Sequence, residues 1–97
     1  MLCSFGNQLT KDLVEENFSK AVRQFPKELI RQARKKLLMI HAARQIQDLV
    51  SPPGNHLEKL NGNRLEYYSI RINDQWRITF RFKESNAFDV SVEDYHK

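Results

Sequence analysis

Near the C-terminal end, three successive segments alternate apolar and polar residues at period two. Tyr68, Ile70 and Ile72 share one side of the first, Trp76, Ile78, Phe80 and Phe82 one side of the second, and Phe88, Val90 and Val92 one side of the third. That pattern predicts three strands of a half-buried antiparallel sheet. The other side carries Tyr67, Ser69 and Arg71, then Arg77, Thr79 and Arg81, then Asp89, Ser91 and Glu93. A three-residue loop at Asn73-Asp74-Gln75 aligns the apolar sides of the first two strands and sets Arg71 opposite Arg77. Like charges facing each other on a sheet are unfavourable, so the register demands a compensating anion. Either Asp89 and Glu93 neutralise Arg81 and Arg77 across the strands, or the surface binds an anionic ligand such as phosphate.

Upstream the period changes. Leu2 to Phe5 reads as an edge strand closed by Gly6-Asn7, and Cys3 within it as a small buried residue. Leu13, Val14, Phe18, Ala21, Val22 and Phe25 then recur at helical spacing. Thr10 is the expected N-cap, with Asp12, Glu15 and Glu16 toward the positive end of the helix dipole. Pro26 interrupts the pattern and starts a second helix, because the residue before a proline avoids helical geometry. Ile30, Ala33, Leu37 and Ile40, flanked by Leu29 and Ala43, give this helix its apolar stripe, with Lys27, Arg31, Arg34 and Lys35 on the outward side. Its end falls near Arg44, and Ile46, Leu49 and Val50 either extend it or form a short turn. Ser51-Pro52-Pro53-Gly54-Asn55 is a firm stop. Leu57 and Leu60 then point inward, leaving His56, Lys59, Asn61 and Arg64 at the surface, and Asn61-Gly62 turns the chain into the sheet. The order β-α-α-β-β-β describes an α+β fold, with two N-terminal helices packed on one face of a small antiparallel sheet. Residues 1–97 read as one domain.

Composition narrows the partners. The net charge of +4 and a pI near 9.4 favour polyanions or an acidic protein. No apolar run approaches the ~20 residues that cross a bilayer, and MLCSFGNQ lacks the features of a secretory signal. A single cysteine fits a reducing cytoplasm. The glycines form no phosphate loop, and neither paired-cysteine spacing nor an H-E-x-x-H helix is present, so no metal or cofactor is expected. His41 reads as a surface or packing residue.

Metal-free phosphodiester cleavage needs a base for the ribose 2′-hydroxyl, cations for the phosphorane, and an acid for the leaving oxygen. His96 titrates in the range for either proton transfer. Asp94 can act as base or orient a neighbour, and Tyr95 can stack on a nucleobase or donate its hydroxyl. Arg71 and Arg77 offer planar donors that match phosphate oxygens.

Ser-Pro-Pro-Gly-Asn followed by His-Leu-Glu-Lys-Leu, then Ile-Asn-Asp-Gln-Trp-Arg-Ile and a terminal Glu-Asp-Tyr-His, resembles the HigB group (including GraT) of RelE/ParE-superfamily toxins. The similarity is close from Ser51 to His96, about half the chain, and follows only the order and length of elements before that. It implies the toxin of a type II toxin–antitoxin system, acting as a ribosome-dependent mRNA interferase that cleaves in the ribosomal A site by 2′-hydroxyl attack. A HigA-type helix-turn-helix antitoxin is the implied partner, with operator DNA reached only through it. The resemblance places the catalytic set on Arg77, Asp94, Tyr95 and His96. Around it, His56, Lys59, Asn61, Arg64, Arg71 and Arg81 form the expected RNA-binding surface. Two positions depart from the family, where many members read His-Pro-Leu-Lys-Gly-Asp before the first sheet strand. Glu58 and Asn61 stand here at the histidine and lysine, which implies weaker cleavage unless Lys59 or His56 substitutes. The alternatives are a ParE-like toxin that inhibits DNA gyrase, which needs no terminal proton-transfer group, and a non-catalytic RNA- or ribosome-binding module.

Overall fold

The alternating segments pair as their spacing predicts. The computed structural model describes residues 1–64 and 66–95, and its sheet runs in the order β1 (Glu58–Lys59), β2 (Tyr67–Arg71), β3 (Trp76–Lys83) and β4 (Asn86–Asp94), all antiparallel. Ile70 pairs with Ile78 and Ile78 with Val92, and all three are buried. Arg71 does lie opposite Arg77. The two-residue β1 was not expected: His56 to Leu60 reads as loop because a strand this short has no room to show a period. Leu57 and Leu60 are both half-buried, as the sequence implies, and Gly62 takes φ +68° in the turn that follows.

One strand face is re-sorted. A bulge between Thr79 and Arg81, with Asp89 at φ +52°, shifts the register of β4 so that Ala87 faces Phe82 and Phe88 faces Arg81. Ala87 therefore enters the core, while Phe88 leaves the apolar face on which alternation alone places it. An extra residue in one strand inverts the facing of everything beyond it. The β3–β4 hairpin closes through Glu84 and Ser85, both at positive φ, which is the twist a two-residue hairpin loop requires.

The N-terminal segment adds to the other edge. Leu2 and Phe5 bridge Ala87 and Val90 in parallel. Gly6 then passes so close to β4 that a Cβ there would sit 2.1 Å from Ser91 Oγ, so any larger residue requires the Ser91 hydroxyl to move. Cys3 is exposed rather than buried.

The first predicted helix is two. α1 (Gln8–Glu15) ends at Glu16 in the left-handed conformation, and α2 (Lys20–Gln24) restarts with the Ser19 hydroxyl accepting from the Val22 amide. Asn7, not Thr10, is the N-cap: its side chain accepts from the Thr10 amide. With the start at Gln8, Asp12 falls in the second turn and Glu15 and Glu16 at the negative end of the dipole. The break also leaves Val14 and Phe18 exposed, although their spacing matches the buried Leu13 and Val22. Thr10 instead joins layers, its hydroxyl accepting from the Val92 amide at 2.7 Å.

α3 (Lys27–Ala42) begins after Pro26 as expected and buries Ala33, Leu37 and Ile40. Leu13, Leu37, Ile40, Ile70, Ile78 and Phe80 are each at most 1% exposed. At ~1.5–3 kcal/mol per buried side chain, this helix-on-sheet core is the main stabilising term. The outward basic side is narrower than the sequence implies. Arg34 is half-buried and donates from Nε to the Leu13 carbonyl at 2.9 Å, tying α3 to α1. The residues after Ala43 form a separate turn at Ile46–Leu49, with Leu49 buried. Among the described residues no helix is long and apolar enough to cross a membrane.

Candidate functional site

Helices cover the apolar face of the sheet, which leaves the arginine-bearing face to solvent. Its centre is Arg77 on β3, whose side chain is only 11% exposed. Nε donates to Ser69 Oγ at 2.9 Å, while Nη2 donates to the His56 carbonyl at 2.6 Å and lies 3.2 Å from Glu58 Oε1. Among the described residues none accepts from Nη1, so that end of the fork keeps its donors for a ligand. The like-charge opposition of Arg71 and Arg77 is thus resolved from the two sides. Arg71 pairs with Asp74 in the hairpin loop, and Arg77 with Glu58 on β1.

Glu93 faces Arg77 in register but does not neutralise it. Its carboxylate accepts from Arg64 Nη2 at 2.8 Å and from the Thr79 hydroxyl. The Glu93 hydrogen bond holds the Arg64 guanidinium above its ordinary pKa, and Tyr95 adds to the shift. Arg64 is therefore committed to an ion pair beside Tyr95 rather than free at the surface. The expected pairing of Arg81 with Asp89 is present at 2.9 Å.

The C-terminal residues divide between two sides. The Tyr95 ring centroid lies 6.0 Å from the Arg77 guanidinium carbon, and the ring is part exposed. Asp94 pairs with Trp76, on the other side of the strand, and its Oδ2 accepts from Gln75 Nε2 at 3.1 Å. Arg77 and Tyr95 are thus brought together, with Arg64, Glu93 and the His56 carbonyl around them. Asp94 sits across the strand, and His96 lies outside the described residues. Of the surface residues, Asn61 is exposed in the loop after β1, while Lys59 and Arg81 lie toward the Lys83 end of the sheet.

Three contributors escape a sequence reading. The sequence marks Glu58 only as a departure from the family and Ser69 only as a polar strand position, and neither is seen as a partner of Arg77 until β1 and β2 converge on it. Asn55, in the Pro-rich stop, is wholly buried: its Nδ2 donates to the Leu49 carbonyl at 3.1 Å and its Oδ1 accepts from the Lys36 ammonium. Lys36 is itself buried on α3, and loss of solvation pushes its pKa down, with Lys35 adding to the shift. Asn55 thereby locks the loop that delivers the His56 carbonyl to Arg77. A buried polar residue inside a loop motif carries no periodic signal.

The model of the RelE-like HigB toxins of type II toxin–antitoxin systems matches residues 5–96. This chain belongs to that family. The toxin is 32% identical to Toxin HigB-1 of Vibrio cholerae over 97 residues, covering 100% of this chain and 99% of that protein. It is also 32% identical over 96 residues to a Proteus vulgaris protein named Endoribonuclease HigB, covering 99% and 100% of the two. In structure it resembles a chain of a YoeB–YefM complex from Staphylococcus aureus, with TM-score 0.62 and 20% identity over 100% of this chain and 99% of that one. A YoeB dimer from the same organism gives TM-score 0.63 at 22% identity, over 99% and 95%. Those neighbours share the toxin's α+β fold.

Proposed function

We propose that this toxin is a ribosome-dependent mRNA interferase, cutting the message in the A site without a metal ion. The observation that carries this reading is the juxtaposition of Arg77, with open donors on Nη1, and the Tyr95 ring. Together they form an anion site beside a stacking surface. Family membership and the Proteus vulgaris relative's name support it. In the proposed step the 2′-oxygen bonds to the adjacent phosphorus and the bond from phosphorus to the 5′-oxygen breaks. A base takes the 2′-hydroxyl proton, and His96 protonates the departing 5′-oxygen. The products are a 2′,3′-cyclic phosphate and a 5′-hydroxyl. Arg77 stabilises the phosphorane, Tyr95 holds the nucleotide, and Asp94, bonded to Gln75, positions the tail. Glu58 is mostly exposed, and such a pair contributes only ~0–1 kcal/mol, so a substrate phosphate can displace it from Arg77. His56, Lys59, Asn61, Arg71 and Arg81 contribute to the RNA surface, in a protein that acts in the cytoplasm and is held inactive by a HigA-type antitoxin.

The test is cleavage of a defined message on programmed ribosomes, run beside a gyrase supercoiling assay. His96→Ala is expected to lower the cleavage rate ~10²–10⁴-fold, as loss of a proton-transfer group does. Growth arrest by His96→Ala at full strength would instead indicate a non-catalytic ribosome binder, and gyrase inhibition a different target altogether. Asn61→Lys restores the family's charge at this loop. One charge ~4 Å from a phosphate contributes ~1–4 kcal/mol, so cleavage is expected to rise at least severalfold. An unchanged single-turnover rate means that the loop does not reach the scissile phosphate.

A further inference from the structure

The Phe88 ring is displayed on a charged surface at a conformational cost. Continuing the alternation back from Val92 and Val90 would bury it, but the bulge at Asp89 turns it outward and hands its core position to Ala87. Asp89 adopts a left-handed backbone, at φ +52°, that side chains other than glycine, asparagine and aspartate rarely take. Three contacts hold the arrangement. The Asp89 amide donates to Ser4 Oγ at 2.8 Å, its carboxylate accepts from Arg81 Nε at 2.9 Å, and the Arg81 guanidinium carbon lies 5.7 Å from the Phe88 ring centroid. Bulges of this kind re-aim a side chain. Here the re-aimed ring lines a cleft of about 440 Å³ together with Lys59, Lys83 and Arg81. Asp89 neutralises Arg81, and Glu66 on the cleft wall offsets one further charge, so Lys59 and Lys83 leave it net positive. An aromatic face in a cleft of net positive charge is what a single-stranded nucleotide needs, since the base stacks and the phosphate is held without sequence readout. Arg81 is four residues along β3 from Arg77, ~13 Å at the rise of a strand, so the cleft lies apart from the proposed cleavage site.

We propose that this cleft is a subsite for one nucleotide of single-stranded RNA, its base stacked on Phe88 and its phosphate held by Lys59 and Lys83. It extends the ribonuclease reading, and it makes a binding claim that can be tested without cleavage.

The experiment measures binding of a short single-stranded oligoribonucleotide and, separately, of inorganic polyphosphate. Phe88→Ala is expected to weaken the oligoribonucleotide about tenfold and leave polyphosphate unchanged, while Lys83→Ala weakens both. Phe88→Trp retains a stacking ring, and its fluorescence above the Trp76 background is expected to be quenched by the oligoribonucleotide and not by polyphosphate. This variant serves even if Phe88→Ala does not fold. On programmed ribosomes, Phe88→Ala raises KM with kcat unchanged. An effect confined to messages extending past the A-site codon assigns the nucleotide to mRNA, and an effect at both lengths assigns it to ribosomal RNA. Oligoribonucleotide affinity that is indifferent to Phe88→Ala, or an unquenched Phe88→Trp, overturns the subsite. Absent cleavage with intact stacking overturns the ribonuclease reading and leaves the subsite standing.

Discussion

Arg77→Lys is expected to lower single-turnover mRNA cleavage ~10²–10³-fold while the protein stays folded. That is the usual effect of removing one donor aimed at developing charge. The guanidinium does two tasks at once. Its Nε and Nη2 are fixed by Ser69 and the His56 carbonyl, which holds the plane of the fork still, and in the proposed mechanism Nη1 meets the phosphate oxygens. An ammonium on a flexible stem keeps the charge but cannot reproduce the planar, pre-oriented donors. Circular dichroism and Tm separate this loss from unfolding. Wild-type cleavage by a folded Arg77→Lys protein would remove Arg77 from the mechanism. Arg71→Lys should be much milder, because Arg71 is already engaged by Asp74 at the hairpin loop.

The second large effect concerns stability. Asn55→Ala removes two donor bonds to loop carbonyls and, among the described residues, the one side-chain acceptor of the buried Lys36 ammonium. Stranding a buried charge and the Leu49 carbonyl is expected to cost ~3 kcal/mol, which lowers Tm by roughly 12 °C or more in a domain of this size. Thermal unfolding followed by circular dichroism checks it, and a change under ~1 kcal/mol would show that the loop is held by other contacts. The sign of the pH effect follows from Lys36. Its folded pKa lies below the unfolded 10.5, so the burial penalty is present in full at neutral pH. It is relieved only as the pH rises through the folded value toward 10.5, and in Asn55→Ala that alkaline recovery should grow. The same variant should also lose activity, because Asn55 anchors the residue whose carbonyl orients Arg77.

Much of this was legible in the chain itself. Period-two alternation along Tyr68–Ile72 and Trp76–Phe82, with a three-residue loop between them, was enough to place Arg71 against Arg77. The Ser51–Asn55 stop and the Ile-Asn-Asp-Gln-Trp-Arg-Ile string carried the family likeness. Periodicity works there because one face of each element is buried and the other wet, so the burial requirement is written in residue order. The break at Glu16 was hidden for the converse reason: Val14 and Phe18 keep a helical spacing while contributing to no core.

The amino-acid order by itself determined the fold class, the strand register at Arg77, and membership of a toxin family. Tertiary structure alone decided which anions Arg64, Arg71 and Arg77 meet. Glu58 reaches Arg77 from one edge of the sheet, Glu93 turns to Arg64 and Thr79, and a bulge sends Phe88 outward in exchange for Ala87. These outcomes depend on distances between segments far apart in the chain and on one residue's backbone twist. Side-chain pairing is settled by competition among all partners within reach, and that set exists only once the strands have been laid side by side.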